Sequence, residues 1–113
     1  MAHDSKIAEA SRIMRAFAGR TGLSDPSRKP ERYLWTDAHA VCNFLTLYRV
    51  TGDDEHRHLA VALIDQVHAV LGRHRADDVR QGWISGLCER EGGEHPTRGG
   101  LRIGNAGQCE GGQ

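Results

Sequence analysis

Apolar positions recur with a helical period of about 3.6 residues in three stretches of this chain, and with no regular period after Arg73. From Ser5 to Ala18, the residues Ile7, Ala10, Ile13, Met14, Phe17 and Ala18 share one face. Lys6, Glu9, Arg12 and Arg15 fall elsewhere, so a one-sided helix is expected over about 5–18. Gly19 and Gly22 supply stop signals. The stretch from Thr21 to Arg32 contains Asp25-Pro26 and Lys29-Pro30 and reads as an extended connector, because proline disfavours helix in the residue before it.

A second helix is expected over 36–51, with Thr36 as its N-cap, Asp37 in the first turn where the helix dipole favours negative charge, and Gly52 as the stop. Ala38, Ala40, Val41, Cys42, Phe44, Leu45, Leu47 and Tyr48 cover more than half of its circumference. His39, Asn43 and Thr46 form a narrow polar stripe, so this helix is expected to be contacted from several sides. Asp53 can cap a third helix over 54–71, so the short Thr51-Gly52-Asp53 turn makes the second and third helices an antiparallel hairpin. The third helix is one-sided, with Leu59, Ala60, Leu63, Ile64, Val67, Val70 and Leu71 in its stripe and His56 pointing into it. A lone hairpin needs one apolar stripe per helix, whereas an inner helix of a layered or circular array needs more. Ten of the 14 glycines lie from Gly82 onward, so a long irregular tail is expected there, ending in disorder over 105–113.

Composition narrows the partners. Lys plus Arg and Asp plus Glu are both 15, which removes the long-range field that a nucleic-acid or anionic-membrane binder uses. Neither partner is expected, and no stretch approaches the length of a membrane span. With no apolar stretch after Met1, a cytoplasmic location is expected. Cys42, Cys88 and Cys109 show no metal-like spacing and are odd in number, so they are read as reduced thiols, with Cys42 in the core. Only 5% of the residues are aromatic, which leaves the fold short of core area unless its helices pack against something else.

The run Tyr33-Leu34-Trp35-Thr36-Asp37-Ala38, then Leu45-Thr46-Leu47-Tyr48, then Thr51-Gly52-Asp53-Asp54 into Leu59-Ala60, resembles the inner-then-outer helix pair of the six-hairpin (α/α) toroid superfamily. That superfamily includes bacterial glycosidases and sugar epimerases. The likeness spans Tyr33 to Gly72, about a third of the chain. It implies an all-α fold in which residues 1–104 form part of a toroid: an N-terminal helix, one αα-hairpin and a rim loop, with the remaining hairpins missing. The loss of pattern near Gly104 reads as a truncated or shifted frame, or equally as a flexible tail.

The resemblance also implies a cleft lined by carboxylates, histidines and aromatic sugar platforms. Asp37 is the first catalytic candidate, held ionised by the helix dipole as a base or electrostatic stabiliser; its plainer role is a first-turn acid. Glu91 and Glu94, with Glu89 and His95 nearby, would supply the paired carboxylates that glycoside hydrolysis needs, against the plainer reading of solvated loop charges. Trp83 and Trp35 are candidate sugar platforms or ordinary packing, and His39 faces a central cavity or is a satisfied core histidine. His56 and His58 diverge on a helix, so no metal is assigned, and no glycine-rich phosphate loop calls for a cofactor. Two functions follow as expectations. One is a catalytically incomplete fragment of a carbohydrate-active toroid protein; the other is a small helical interaction module that binds a partner, or another copy of itself, through exposed apolar faces.

Overall fold

A computed structural model of the chain describes residues 2–75 and 77–104. The fold is all-α, with α1 (Ala2–Arg20), α2 (Leu34–Thr51), α3 (Asp54–Leu71) and a short α4 (Glu89–Glu94). The expected disorder of 105–113 lies outside the described residues. Helices α2 and α3 form the antiparallel hairpin. Gly52 turns it at φ 72°, a left-handed conformation that suits glycine, and donates its N–H to Tyr48 O at 2.7 Å. Asp53 then caps α3 by accepting the Glu55 N–H at 3.0 Å.

The core is a single cluster in which α1 lies against one side of the hairpin. Phe44, Ala60, Leu63 and Leu71 are completely buried, and α1 adds Met14, Phe17 and Ala18. His56 enters this seam as its spacing implies, with 1% exposure, and its ring shares a 3.1 Å hydrogen bond with Ser11 of α1. Arg15 holds the same junction from outside through Asp53 and Glu55.

Three local expectations are corrected. Thr36 is not the cap of α2; the helix begins earlier, with Tyr33 at the N-cap in an extended conformation. Asp37 reaches back to accept the Tyr33 N–H at 2.8 Å, so a side chain within the first turn replaces the cap's own. The connector expected to be extended folds back. Leu23 and Ser24 both donate to Ala18 O, and at Gly22 (φ 81°) an added Cβ would stand 2.9 Å from Lys29 O. Nor is α2 covered nearly all round: Trp35 is 65% and Leu45 43% exposed, and Cys42, expected in the core, is exposed. The reason is topological. Helix α1 meets α2 beside Asn43, Thr46 and Leu47, and leaves the side of Val41 and Leu45 without a covering helix among the described residues.

The segment after α3, a strap across the hairpin, is irregular apart from α4 yet tied down. It returns across the end of the hairpin through two isolated antiparallel bridges, Arg73 with Trp83 and Tyr33 with Gly104. Arg102 is the main clasp: its N–H donates to Leu71 O at 2.7 Å, and its guanidinium donates to Val70 O at 2.8 Å, Arg73 O at 2.6 Å and Gly104 O. The backbone and side chain of this one residue thus satisfy the Leu71 and Val70 carbonyls that the end of α3 leaves open. Replacing it, Arg102→Ala, is expected to free the strap, and amide exchange at Leu34, whose N–H donates to Ile103 O at 2.7 Å, should accelerate ahead of exchange in the hairpin core. Unchanged Leu34 protection would mean that other contacts hold the strap.

Trp83 anchors the first part of this segment at 5% exposure, with the Arg73 guanidinium 4.2 Å from its ring centre. Gly92 of α4 lies so close beneath that an added Cβ would overlap the indole. Gly92→Ala is therefore expected to displace Trp83 at a cost of about 1–3 kcal/mol. In a Trp35→Phe background, the emission of Trp83 should shift to the red; an unshifted spectrum would contradict the packing.

Candidate functional site

The connector before α2 carries a buried ion pair that gives this part of the molecule its chemistry. Arg32 and Asp37 are each 1% exposed, and Arg32 Nε stands 3.6 Å from Asp37 Oδ2. Arg32 is positioned by backbone acceptors: Nε donates to Glu31 O at 2.9 Å, while one Nη2 group serves Thr21 O and the Thr21 hydroxyl. Its guanidinium also lies 5.8 Å from the centre of the Phe17 ring, and Nη1 has no hydrogen-bond partner. Burial pushes the Asp37 carboxyl above its ordinary pKa, opposed by Arg32 and by the Tyr33 N–H. Burial likewise lowers Arg32, opposed by Asp37 and Glu31. Desolvation outweighs attraction on both partners. The first-turn position alone implied an Asp37 held ionised by the helix dipole; in the fold, withdrawal from water works against the charge, while Arg32 and the Tyr33 N–H favour it.

Next to Asp37, a hollow of about 270 Å³ opens between α2 and α3. Leu34, Ala38 and Val41 line it from α2, Ile64, Val67 and His68 from α3, and Leu101 of the strap closes one end. Asp37 and His68 are its two ionisable wall residues. Along the hairpin the same side continues through Leu45, one turn beyond Val41, and Val61, one turn before Ile64, which are 43% and 48% exposed. The result is an apolar groove as long as the middle of the hairpin. A second hollow of about 300 Å³ lies between α1 and α2 and includes the polar Asn43 and Thr46.

The sequence candidates are scattered. Asp37 reaches the hollow, and Trp35 stands exposed one turn from Ala38 on the outer surface of α2. His39 is exposed on the helix surface, and Glu91 and Glu94 are exposed on α4, where Glu91 accepts from Cys88 Sγ at 3.5 Å and Glu94 pairs with Arg90 at 3.6 Å. None of these three lines the hollow. Trp83 is enclosed by Arg73 and Gly92, so its ring faces are occupied and it offers no open platform. Arg32 escaped the sequence reading, since nothing in a polar, proline-containing connector distinguishes one arginine that turns inward.

Comparison with protein-family models, curated proteins and solved structures returned no match. The reading of this site therefore rests on its geometry. Among the described residues, no helix is long and apolar enough to cross a membrane, and no three His, Cys, Asp or Glu side chains gather as a metal would need.

Proposed function

We propose that this protein is a helical docking module whose α2–α3 groove receives an amphipathic helix. The observation that carries the reading is the uncovered apolar side of the hairpin: Val41, Leu45, Val61 and Ile64 form a continuous face where a further helix would complete the core. The adjoining hollow, at about 270 Å³, falls just below the roughly 300–1,000 Å³ of small-molecule sites and suits one anchoring side chain. Its aliphatic lining favours an apolar group over a sugar ring, whose hydroxyls would lose water without gaining partners. The layered helical architecture implied by the toroid resemblance is one setting in which such a groove would be filled.

Selection of a displayed library of amphipathic helices against the chain tests this. Enriched peptides are expected to bind the parent and to lose binding to Val41→Glu, a variant checked for retained helix by circular dichroism. Failure to enrich any helix, or binding indifferent to Val41→Glu, would sink the reading.

A further inference from the structure

We infer that the hollow beside Asp37 is a binding site for a small apolar molecule with one hydroxyl, of the phenol class, whose hydroxyl meets Asp37 Oδ1. The inference concerns the hollow itself and does not depend on a helix lying along the groove. An acceptor without a donor motivates it. Asp37 is 1% exposed, and its Oδ2 takes both the Tyr33 N–H at 2.8 Å and the nearest approach of Arg32, at 3.6 Å. Among the described residues Oδ1 has no hydrogen-bond partner, yet unlike Arg32 Nη1 it is not sealed from water. The hollow is the opening that Asp37 lines, so Oδ1 forms its polar end. Buried acceptors are normally satisfied, and here the donor has to come from whatever enters.

The rest of the wall sets the body of the ligand. Leu34, Val41, Ile64, Val67 and Leu101 are aliphatic, so a water beside Oδ1 would have few other groups to bond and would be readily displaced. The volume of about 270 Å³ exceeds the roughly 150 Å³ in which an aliphatic-lined cavity holds benzene, so a substituted six-membered ring fits. A rigid ring also gives up less freedom on entry than a flexible chain of equal surface.

Charge selects the head group. Arg32 already stands beside the carboxyl, so an ammonium in the hollow would be a second cation for one anion, withdrawn from water and uncompensated. A carboxylate would face Asp37 as a like charge. A hydroxyl carries no charge and fits either state of Asp37: it donates to the carboxylate, and it accepts from the protonated carboxyl that burial favours. One hydroxyl is matched and several are not, because His68 is the only other polar side chain among the wall residues.

Titration of the full chain with p-cresol, followed by amide and methyl NMR, tests the inference. Saturable shifts are expected at Leu34, Asp37, Ile64 and Leu101. Toluene, the same ring without the hydroxyl, should bind about tenfold more weakly, as loss of a hydrogen bond to a charged group implies. Benzylamine and benzoate should also bind more weakly than p-cresol. Ala38 lines the hollow from an exposed position, so Ala38→Leu, checked for retained helix by circular dichroism, should fill the space and abolish p-cresol binding. Absence of saturable shifts at these residues overturns the inference, as does toluene or benzylamine binding as tightly as p-cresol, or p-cresol binding unchanged in Ala38→Leu. If p-cresol fails while library helices bind in a Val41-dependent way, the docking reading stands and the small-molecule site alone is excluded.

Discussion

Leu63→Asp is expected to abolish cooperative folding. Leu63 is wholly buried in the cluster shared by α1, α2 and α3, with Phe44, Ala60 and Val67, and the buried members of that cluster among the described residues are all apolar. An unpaired charge in such a seam costs on the order of 4 kcal/mol or more. A small core of this kind is held by only about 3–5 kcal/mol, so the variant should be largely unfolded. Circular dichroism should show loss of helix with no sigmoidal melt, whereas Leu63→Met, close in volume, should cost less than about 1.5 kcal/mol and melt cooperatively. A cooperative melt in Leu63→Asp would mean that the hairpin is held together elsewhere.

The Arg32–Asp37 pair should show the second largest effect, and in a pattern that separates it from ordinary packing. Removing either charge leaves the other buried and uncompensated, at a cost of about 3–5 kcal/mol. Arg32→Met and Asp37→Asn are therefore each expected to lower the urea midpoint sharply. The double variant should be more stable than either single one. Both desolvated charges are then gone, while the carbonyl oxygen of the introduced asparagine can still accept the Tyr33 N–H that Asp37 accepts in the parent. Additive losses in the double variant would show that the two side chains act independently.

The pair also carries a pH signature. Burial raises the Asp37 carboxyl above its ordinary value, so the fold holds that proton more tightly than the unfolded chain does. Its contribution favours folding at pH values below about 4 and is lost as pH rises through the higher folded value. Other acids work in the opposite direction: Arg80 holds Asp78, and Arg73 holds Glu89, below their ordinary values, favouring the fold at higher pH. The stability of the parent minus that of Asp37→Asn isolates the buried group, since the other acids are common to both. That difference should decrease as pH rises from about 4. An increase would mean that attraction to Arg32 prevails over burial.

How far the sequence could be read differs from element to element. The hairpin was legible because its signals are local: Gly52 supplies the left-handed turn, Asp53 caps within two residues, and the stripe from Leu59 to Leu71 repeats at helical spacing. His56 was legible for the same reason, its place in that stripe carrying it into the core. The site was much less so. A first-turn aspartate looks alike whether it faces water or Arg32, and an arginine in a turn-rich connector gives no sign of which way it points. Trp83 and Gly92 are nine residues apart and meet only because the strap folds over Gly72, so their contact leaves no periodic trace.

Local chemistry in the sequence thus determined three helical stretches, the sharp turn between α2 and α3, and the excess of apolar surface on α2. Period, capping and turn geometry act within a few residues, and those forces need no knowledge of the rest of the chain. Only the tertiary structure decided which part of that surface stays uncovered. Helix α1 packs on one side of the hairpin, the strap clasped by Arg102 crosses one end, and the side of Val41, Leu45, Val61 and Ile64 is left without a covering helix among the described residues. That choice depends on contacts between residues far apart in sequence, whose desolvation and packing take effect only when the elements meet.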